Sequence, residues 1–130
     1  HHPTEIKATI EAVRQKYGGR RLVVAFHPHT FSRTKALFDN FTKSFGQADE
    51  LIILDIYGSA REKQGGVSSQ DLAREIGIRN QELGIRQTVK YIATLAECER
   101  YLREHIKRDD VVALMGAGDI FRVGENLVKK

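Results

Sequence analysis

Apolar residues recur along the first half of the chain in two patterns, one with helical spacing and one without interruption. Residues 4–17 and 31–45 carry apolar side chains at helical spacing, and a glycine follows each segment, which predicts two amphipathic helices. Residues 21–26 and 51–54 contain unbroken apolar runs, which are typical of strands covered on both faces of a parallel sheet. The first half therefore predicts the order helix, strand, helix, strand.

A polar segment separates the two halves of the chain. Residues 57–67 are rich in glycine, serine and charged side chains, and they predict a long loop. Ser68 followed by Asp71 resembles a capping box and opens a helix, which we expect to weaken at Gly77. Residues 78–86 favour no single element.

The last third of the chain predicts two further strands and two further helices. Residues 88–93 form a weaker strand, residues 111–115 a buried strand, and residues 119–129 a final helix. Between the two strands lies a helix whose apolar face is formed by Leu95, Cys98, Leu102 and Ile106. The alternating order predicts an α/β fold of Rossmann-like type, a three-layer domain in which helices flank both faces of a mostly parallel sheet.

The chain length and the apolar content fit one folded domain over residues 1–130. A chain of 130 residues with 41% hydrophobic side chains can bury about two thirds of the surface that it exposes when unfolded. Its longest apolar runs, residues 22–26 and 111–115, are far shorter than the ~18 residues of a membrane-spanning helix. Since no secretory signal pattern is visible either, we expect a cytoplasmic protein that does not enter a membrane.

The charge pattern favours a small anionic ligand over nucleic acid. Lys and Arg number 21 against 17 Asp and Glu, which makes a formal net charge of +4, and the basic residues stand alone or in pairs. Nucleic-acid binding usually requires a clustered basic stripe or patch. We therefore expect no nucleic-acid partner.

Cys98 is the only cysteine of the chain. A single cysteine excludes an intrachain disulfide and a zinc site built from cysteines. Because Cys98 lies on an apolar helical face, the pattern predicts a buried core thiol rather than a nucleophile.

Candidate chemistry lies in the loops that follow the strands, since ligands of open α/β sheets bind beyond the carboxyl ends of the strands. After the first strand, Pro28 ends the extended segment, and Thr30 or Ser32 can cap the next helix. The N–H groups of that helix and the guanidinium of Arg33 would form a site for a carboxylate or phosphate. The alternative interpretation is that these residues are ordinary caps and a solvated surface charge.

Two histidines flank Pro28, yet they predict no metal site. His27 and His29 show no further ligands at suitable spacing, so a structural or hydrogen-bonding role is favoured for both. The sequence also lacks the P-loop, H-E-x-x-H and G-x-S-x-G motifs. This chain alone therefore shows no complete catalytic apparatus.

Two other loops carry candidate residues. Residues 116–118 (GAG) would let the backbone approach a ligand, but the dinucleotide fingerprint is incomplete, and a tight turn explains the glycines almost as well. Asp119 is placed to cap the final helix. In the long loop, Tyr57, Arg61 and Glu62 either reach a ligand or belong to a solvated connection.

Three segments taken together resemble one family of enzymes. They are residues 1–6 (HHPTEI), 28–34 (PHTFSRT) and 115–120 (MGAGDI), which occur in the family's order and nearly with its spacing. From residue 1 to about residue 125, the chain resembles the C-terminal domain of the Mur ligase family, in the branch of the UDP-N-acetylmuramate–L-alanine ligases. Each segment alone is a weak signal, whereas the combination is specific.

The resemblance implies the C-terminal, substrate-closing domain of a three-domain ligase of peptidoglycan synthesis. In such an enzyme the N-terminal domain holds UDP-N-acetylmuramate, and the central domain binds ATP and magnesium. The muramyl carboxylate is phosphorylated by ATP, and the amino group of L-alanine attacks the acyl phosphate. Because the central domain carries the P-loop, we expect the isolated chain to be inactive.

Two other functions stay open at this point. A related ligase that joins a tripeptide to UDP-N-acetylmuramate has a C-terminal domain of the same architecture. A free-standing α/β module that binds a nucleotide or phosphate without catalysis would show a similar pattern of strands and loops.

The resemblance also implies a set of site residues. Arg33 would be the catalytic residue and would stabilise the phosphate or the tetrahedral intermediate. The substrate-binding residues would be His1, His29, Thr30, Tyr57, Gly116 and Gly118. Among these, His29 would orient or bind the carboxylate of L-alanine, and the glycines would give backbone access beside it.

The chain departs from the family pattern at two places. Thr30 stands where many members have arginine, so a contact made by that arginine is lost or supplied otherwise. Residues 58–61 (GSAR) stand where many members have a Pro-Ala-Gly-Glu sequence, which leaves the role of Arg61 open.

Overall fold

The structure is a computed structural model that describes residues 3–28, 38–56, 68–116 and 119–128. Within these ranges helices and strands alternate in the order that the sequence predicts. The elements are α1 (Pro3–Lys16), β1 (Leu22–His27), α2 (Phe38–Thr42), β2 (Glu50–Ile53), α3 (Ser69–Leu83), β3 (Thr88–Tyr91), α4 (Leu95–His105), β4 (Val111–Gly116) and α5 (Phe121–Val128). None of these helices is long and apolar enough to cross a membrane.

The described strands form one sheet in the order β3-β2-β1-β4, and every neighbouring pair is parallel. On β1, Ala25 lies opposite Ile52 of β2 and Leu114 of β4. Parallel neighbours cannot be joined by a tight turn, so each connection crosses over a face of the sheet. The predicted parallel sheet is confirmed.

Side chains of β1 alternate between two apolar clusters, one on each face of the sheet. Val24 and Phe26 belong to the cluster that α1, α2 and α3 cover, where the ring centre of Phe26 lies 5.3 Å from that of Phe41. Val23 and Ala25 belong to the cluster that α4 and α5 cover. The domain therefore has the predicted three layers, with helices on both faces.

Helix α3 is longer than the sequence predicts. The expected weakening at Gly77 is wrong, because the helix continues through it to Leu83 and ends at Gly84, whose φ of 69° is left-handed. The buried side chains of Ile76 and Asn80, one turn apart, hold this part of the helix against the core. A glycine inside a helix costs only about 1 kcal/mol, which this packing outweighs.

The remaining differences from the predicted bounds concern the ends of elements. Helix α2 ends at Thr42 rather than at residue 45, and β3 ends at Tyr91 rather than at residue 93. Residues 31–37 of the second predicted helix and the predicted loop at 57–67 lie outside the described residues.

Charged side chains meet at the amino ends of the strands (the amino edge). Glu50, the first residue of β2, is buried, and its carboxylate accepts hydrogen bonds from Arg21 Nη2 at 2.7 Å and from the Tyr101 hydroxyl. Arg21 Nε also lies 3.8 Å from Asp110 Oδ2. Burial and the Glu50 carboxylate raise the pKa of Tyr101 to about 12. This network ties the starts of β1, β2 and β4 to helix α4.

Candidate functional site

The carboxyl ends of the strands (the carboxyl edge) lie side by side because neighbouring strands are parallel. The strands end there at His27, Ile53, Tyr91 and Gly116. The predicted ligand residues follow these strands in the sequence, so this edge is where we expect the candidate site.

Most of the predicted site residues lie outside the described part of the chain. They are His1, His29, Thr30, Arg33, Tyr57 and Gly118, and Arg61 lies outside it as well. The structure does place Gly116 at the carboxyl edge, where the turn after the fourth strand was expected. The binding and catalytic roles of all of these residues, Gly116 included, stay predictions.

Gly116 ends β4 with a φ of 122°, a conformation that residues with a side chain rarely adopt. A Cβ atom at this position would lie 2.2 Å from the carbonyl oxygen of His27, the residue paired with it across the sheet. The obstacle is backbone, so it cannot turn aside as a side chain would. Close packing of β4 against β1 is therefore sufficient reason for glycine, and backbone access to a ligand stays a prediction.

His27 ends β1 at the carboxyl edge and is half-buried. Burial lowers the pKa of its imidazole, and the negative charge of Asp55 acts in the opposite direction without cancelling the effect. The imidazole is therefore mainly neutral at pH 7. A neutral imidazole both donates and accepts hydrogen bonds, which fits the predicted hydrogen-bonding role.

Asp55 and Tyr91 form a pair that the sequence patterns do not indicate. The Tyr91 hydroxyl donates a hydrogen bond to Asp55 Oδ1, and the backbone N–H of Asp55 donates to the Ala93 carbonyl at 3.1 Å. The hydrogen bond to Asp55, together with burial, raises the pKa of Tyr91 to about 12, so its phenol stays protonated. An acidic residue directly after a buried strand was the available signal, but finding its partner requires the strand order.

The N-terminus of α3 also lies at the carboxyl edge. Ser69 Oγ donates a hydrogen bond to the carbonyl of Leu54, directly after β2. Ser68 Oγ accepts a hydrogen bond from the backbone N–H of Asp71 at 3.1 Å, so the predicted cap is confirmed. The positive end of the α3 dipole therefore lies beside the end of β2, a placement that favours negative charge nearby.

Asp119 stands at the turn that leads into α5. Its carbonyl accepts a hydrogen bond from the backbone N–H of Arg122 at 2.9 Å. Its carboxylate lies 3.9 Å from Arg122 Nε, so this acidic side chain pairs with the first turn of the helix.

Cys98 belongs to the core and not to the candidate site. Its side chain is fully buried in the cluster beneath α4 and α5. Burial, with a smaller contribution from the charge of Glu99, raises the pKa of the thiol to about 11. Because the thiolate is the reactive form, Cys98 is inert at neutral pH, and the predicted core role is confirmed.

Within the described ranges, no three His, Cys, Asp or Glu side chains are grouped so that they could hold a metal ion. These residues therefore do not fit a magnesium site, and we assign no step of metal chemistry to them. The described part of the carboxyl edge offers the neutral imidazole of His27, the N-terminus of α3 and the close approach of two backbones at Gly116.

Residues 1–118 match the model of one protein family, described as the Mur ligase, glutamate ligase domain. The chain belongs to this family. This Mur ligase domain is 45% identical to the UDP-N-acetylmuramate–L-alanine ligase of Desulfosudis oleivorans over 128 aligned residues. The alignment covers 98% of the chain and 27% of that protein. It is 44% identical over 130 residues to the enzyme of the same name from Trichlorobacter lovleyi, which covers 100% of the chain and 27% of that protein.

Solved structures of low sequence identity share the fold of the Mur ligase domain. A murein peptide ligase from Psychrobacter arcticus 273-4 matches with a TM-score of 0.72 at 19% identity, over 98% of this chain and 25% of that chain. A ligase domain from Haemophilus ducreyi 35000HP matches with a TM-score of 0.63 at 21% identity, over 98% of this chain and 82% of that chain. The Rossmann-like architecture is thus that of the family.

The chain is shorter than the relatives that it matches. The chain spans about a quarter of the length of the curated relatives that it matches, 27% in both cases above. Most of the length of those relatives therefore corresponds to other parts of their chains.

Proposed function

We propose that the chain is the C-terminal domain of an ATP-dependent ligase that joins L-alanine to UDP-N-acetylmuramate in peptidoglycan synthesis. The observation that carries this proposal is the identity of 44–45%, across almost the whole chain, to relatives named UDP-N-acetylmuramate–L-alanine ligase. The partners are two other domains of the same polypeptide, an N-terminal domain for the UDP-sugar and a central domain for ATP and magnesium. Since the reaction consumes ATP and a nucleotide sugar, we place the enzyme in the cytoplasm.

The proposed reaction has two steps. The muramyl carboxylate attacks the γ-phosphorus of ATP, which forms an acyl phosphate and releases ADP. The deprotonated amino nitrogen of L-alanine then attacks the acyl carbon. The amide C–N bond forms, the bond from the acyl carbon to the phosphate oxygen breaks, inorganic phosphate leaves, and the nitrogen loses a further proton. The C-terminal domain contributes by closing over both substrates and by stabilising negative charge.

We assign the charge stabilisation to Arg33, whose guanidinium is positive at every physiological pH. Substrate contacts are assigned to His1, His29, Thr30, Tyr57, Gly116 and Gly118. The pairing of β1 with β4 supports this assignment, because the loops that carry Arg33 and Gly118 follow neighbouring strands. Loops that follow neighbouring parallel strands emerge at the same edge of a sheet.

A chimeric enzyme tests the proposal. In it, this chain replaces the corresponding segment of the Trichlorobacter lovleyi enzyme, which is 44% identical over 130 residues. We expect phosphate release from ATP that depends on both UDP-N-acetylmuramate and L-alanine, and none from the isolated chain, because closure over the other domains completes the site. The control is the relative's chain with the segment deleted, which should be inactive.

Two outcomes would contradict the proposal. Phosphate release that depends on a preformed tripeptide rather than on L-alanine would assign the chain to the related peptide ligase. Micromolar binding of a nucleotide by the isolated chain, with an inactive but folded chimera, would favour a free-standing binding module.

A further inference from the structure

A cavity of about 260 Å³ opens at the amino edge, on the face of the sheet that α2 and α3 cover. Its apolar walls include Phe45, Ile76, Leu83 and Ile85. Phe45 and Ile76 belong to the core, whereas Leu83 is 72% exposed although its side chain is large and apolar. The cavity therefore offers solvent an apolar surface that is continuous with the core.

Two cations, Lys43 and Arg79, are among the described residues that line the cavity, and no carboxylate is among them. Arg79 Nη2 donates to Asp39 Oδ1 at 2.7 Å, but Arg79 Nε is buried and has no hydrogen-bond partner among the described residues. Lys43 is exposed, and no ion pair joins it to an acidic side chain in the described ranges. Beside the apolar walls, the cavity therefore has the unbalanced charge of Lys43 and, at Arg79, a buried Nε that Asp39 leaves without a partner among the described residues.

The amide side chains of the cavity already have partners. Asn80 Nδ2 donates to Gln87 Oε1 at 2.9 Å. Gln87 Nε2 donates to the carbonyl oxygens of Phe45 at 2.7 Å and of Ala48 at 2.8 Å. These groups hold the cavity in shape, so polar attraction for a ligand comes from the cations and favours an anion over a neutral polar molecule.

We propose that this cavity binds a small amphipathic carboxylic acid. The apolar body lies against Phe45, Ile76 and Leu83, and the carboxylate lies at Lys43 and Arg79. A water molecule occupies about 30 Å³ in the liquid, and we allow the same volume for each non-hydrogen atom of a ligand. A cavity of 260 Å³ then holds roughly nine such atoms, which suits an acid of six or seven carbons.

The cavity is separate from the carboxyl edge. Helix α3 runs from Ser69 at that edge to Leu83 at the cavity, and its 15 residues span about 22 Å. The proposed ligand site therefore does not depend on the proposed ligase reaction, and either can fail without the other.

A titration of the 130-residue chain with hexanoate, followed by ¹H–¹⁵N NMR, tests the proposal. We expect saturable shifts at the amides of the cavity residues with a Kd on the order of 1 mM, as is usual for so small a ligand. Hexanamide is neutral and of the same size, and hexylammonium carries the opposite charge. Both should bind about tenfold more weakly or not at all. Equal binding of the three probes, or shifts scattered away from the cavity, would overturn the proposal.

Two variants locate the site. Lys43→Gln should weaken hexanoate binding about fivefold and leave hexanamide binding unchanged, because it removes charge and little apolar surface. Lys107→Gln, at another exposed lysine, is the matched control and should change neither.

Gly46→Leu supplies an independent check on the apolar part. A Cβ at Gly46 meets no atom within 4 Å, so the larger side chain fits at the cavity wall and should abolish the hexanoate shifts in a folded chain. Unchanged hexanoate binding in both Lys43→Gln and Gly46→Leu would refute the site.

Discussion

Polar groups occur at both ends of the sheet, and the two ends differ in what these groups contact. At the amino edge, Arg21 pairs with the carboxylates of Glu50 at 2.7 Å and Asp110 at 3.8 Å, so its positive charge is offset within the protein. At the carboxyl edge, His27 is half-buried and mainly neutral, and the predicted catalytic Arg33 lies six positions after it in the sequence. The Arg21 network at one end of the sheet thus holds the strands together, whereas the other end carries the groups proposed for the ligase reaction.

The energetic reason for this difference is the cost of burying charge. A buried carboxylate is tolerated when it is paired and hydrogen-bonded, and removing its partner leaves a desolvated charge behind. Groups of this kind cannot serve a substrate without loss of stability. We therefore expect changes in the charged network of Arg21, Glu50 and Asp110 to alter stability, and changes in the loops of the carboxyl edge to alter turnover.

The largest expected effect concerns Arg33. In the full-length enzyme or the chimera, Arg33→Ala should lower kcat/KM about 10²–10³-fold, by analogy with the loss of one preorganised donor to an oxyanion. The melting temperature should stay unchanged. The matched control is Arg100→Ala, at an exposed position on α4, which should retain full activity. Unchanged kinetics for Arg33→Ala would remove Arg33 from the catalytic machinery.

Gly116 lies at the carboxyl edge, yet we expect its substitution to lower stability. Gly116→Ala places a Cβ 2.2 Å from the His27 carbonyl and forces a side chain into a φ of 122°, so we expect a loss of about 3 kcal/mol in the free energy of unfolding. Urea unfolding measures it. Gly77→Ala is the control: its Cβ meets no atom within 4 Å, and the helix should gain about 0.5–1 kcal/mol. A stable Gly116→Ala variant would contradict the packing role of this glycine.

Substitution of Glu50 tests whether the charged network at the amino edge stabilises the fold. Glu50→Gln removes the charge that pairs with Arg21 at 2.7 Å, and the expected loss is about 2 kcal/mol, reduced from fully buried cases because Arg21 is 36% exposed. Activity per folded molecule should not change. Glu104→Gln, at an exposed position on α4, should shift stability by less than about 0.5 kcal/mol. Equal stability of the two variants would show that the network contributes nothing.

The smallest effect is the alkaline pH dependence that Tyr101 contributes. Its pKa in the folded chain is about 12 against an ordinary value of 10.0, so the folded chain favours the protonated phenol. The resulting stabilisation is fully present below pH 10 and is lost as the pH rises towards 12. Tyr101→Phe should therefore show a smaller fall in its urea midpoint between pH 9 and 11 than the parent chain. A parallel fall in both would show that the pKa of Tyr101 is not raised in the folded chain.

The strands and their parallel arrangement were predictable because burial on both faces leaves a direct mark in the sequence. Residues 22–26 must be apolar without interruption, since each side chain enters one of the two clusters. The charged network at the amino edge produces no recognisable pattern in the sequence. Glu50 and Tyr101 are 51 positions apart, and nothing in the local pattern around either residue names the other.

For the candidate site, the sequence predicts the types of residue better than it predicts the contacts that they make. A glycine was expected directly after the fourth strand; Gly116 is the last residue of that strand, and the contact that requires it is the backbone of His27. The Asp55–Tyr91 pair was missed because it joins the end of β2 to β3, and the strand order cannot be deduced from spacing. Local patterns thus show which groups a loop offers, and tertiary structure decides what each group contacts.

The buried thiol of Cys98 makes this chain a convenient carrier for reporter groups. It is the only cysteine, it is inaccessible, and its pKa of about 11 leaves little thiolate at neutral pH. A cysteine introduced on an exposed loop would therefore be the only thiol that a maleimide dye modifies in the folded chain. Paired with a second dye elsewhere in a full-length enzyme, it would turn closure of the domain into a distance that fluorescence can follow. Without the introduced cysteine, slow alkylation of Cys98 would count spontaneous unfolding events.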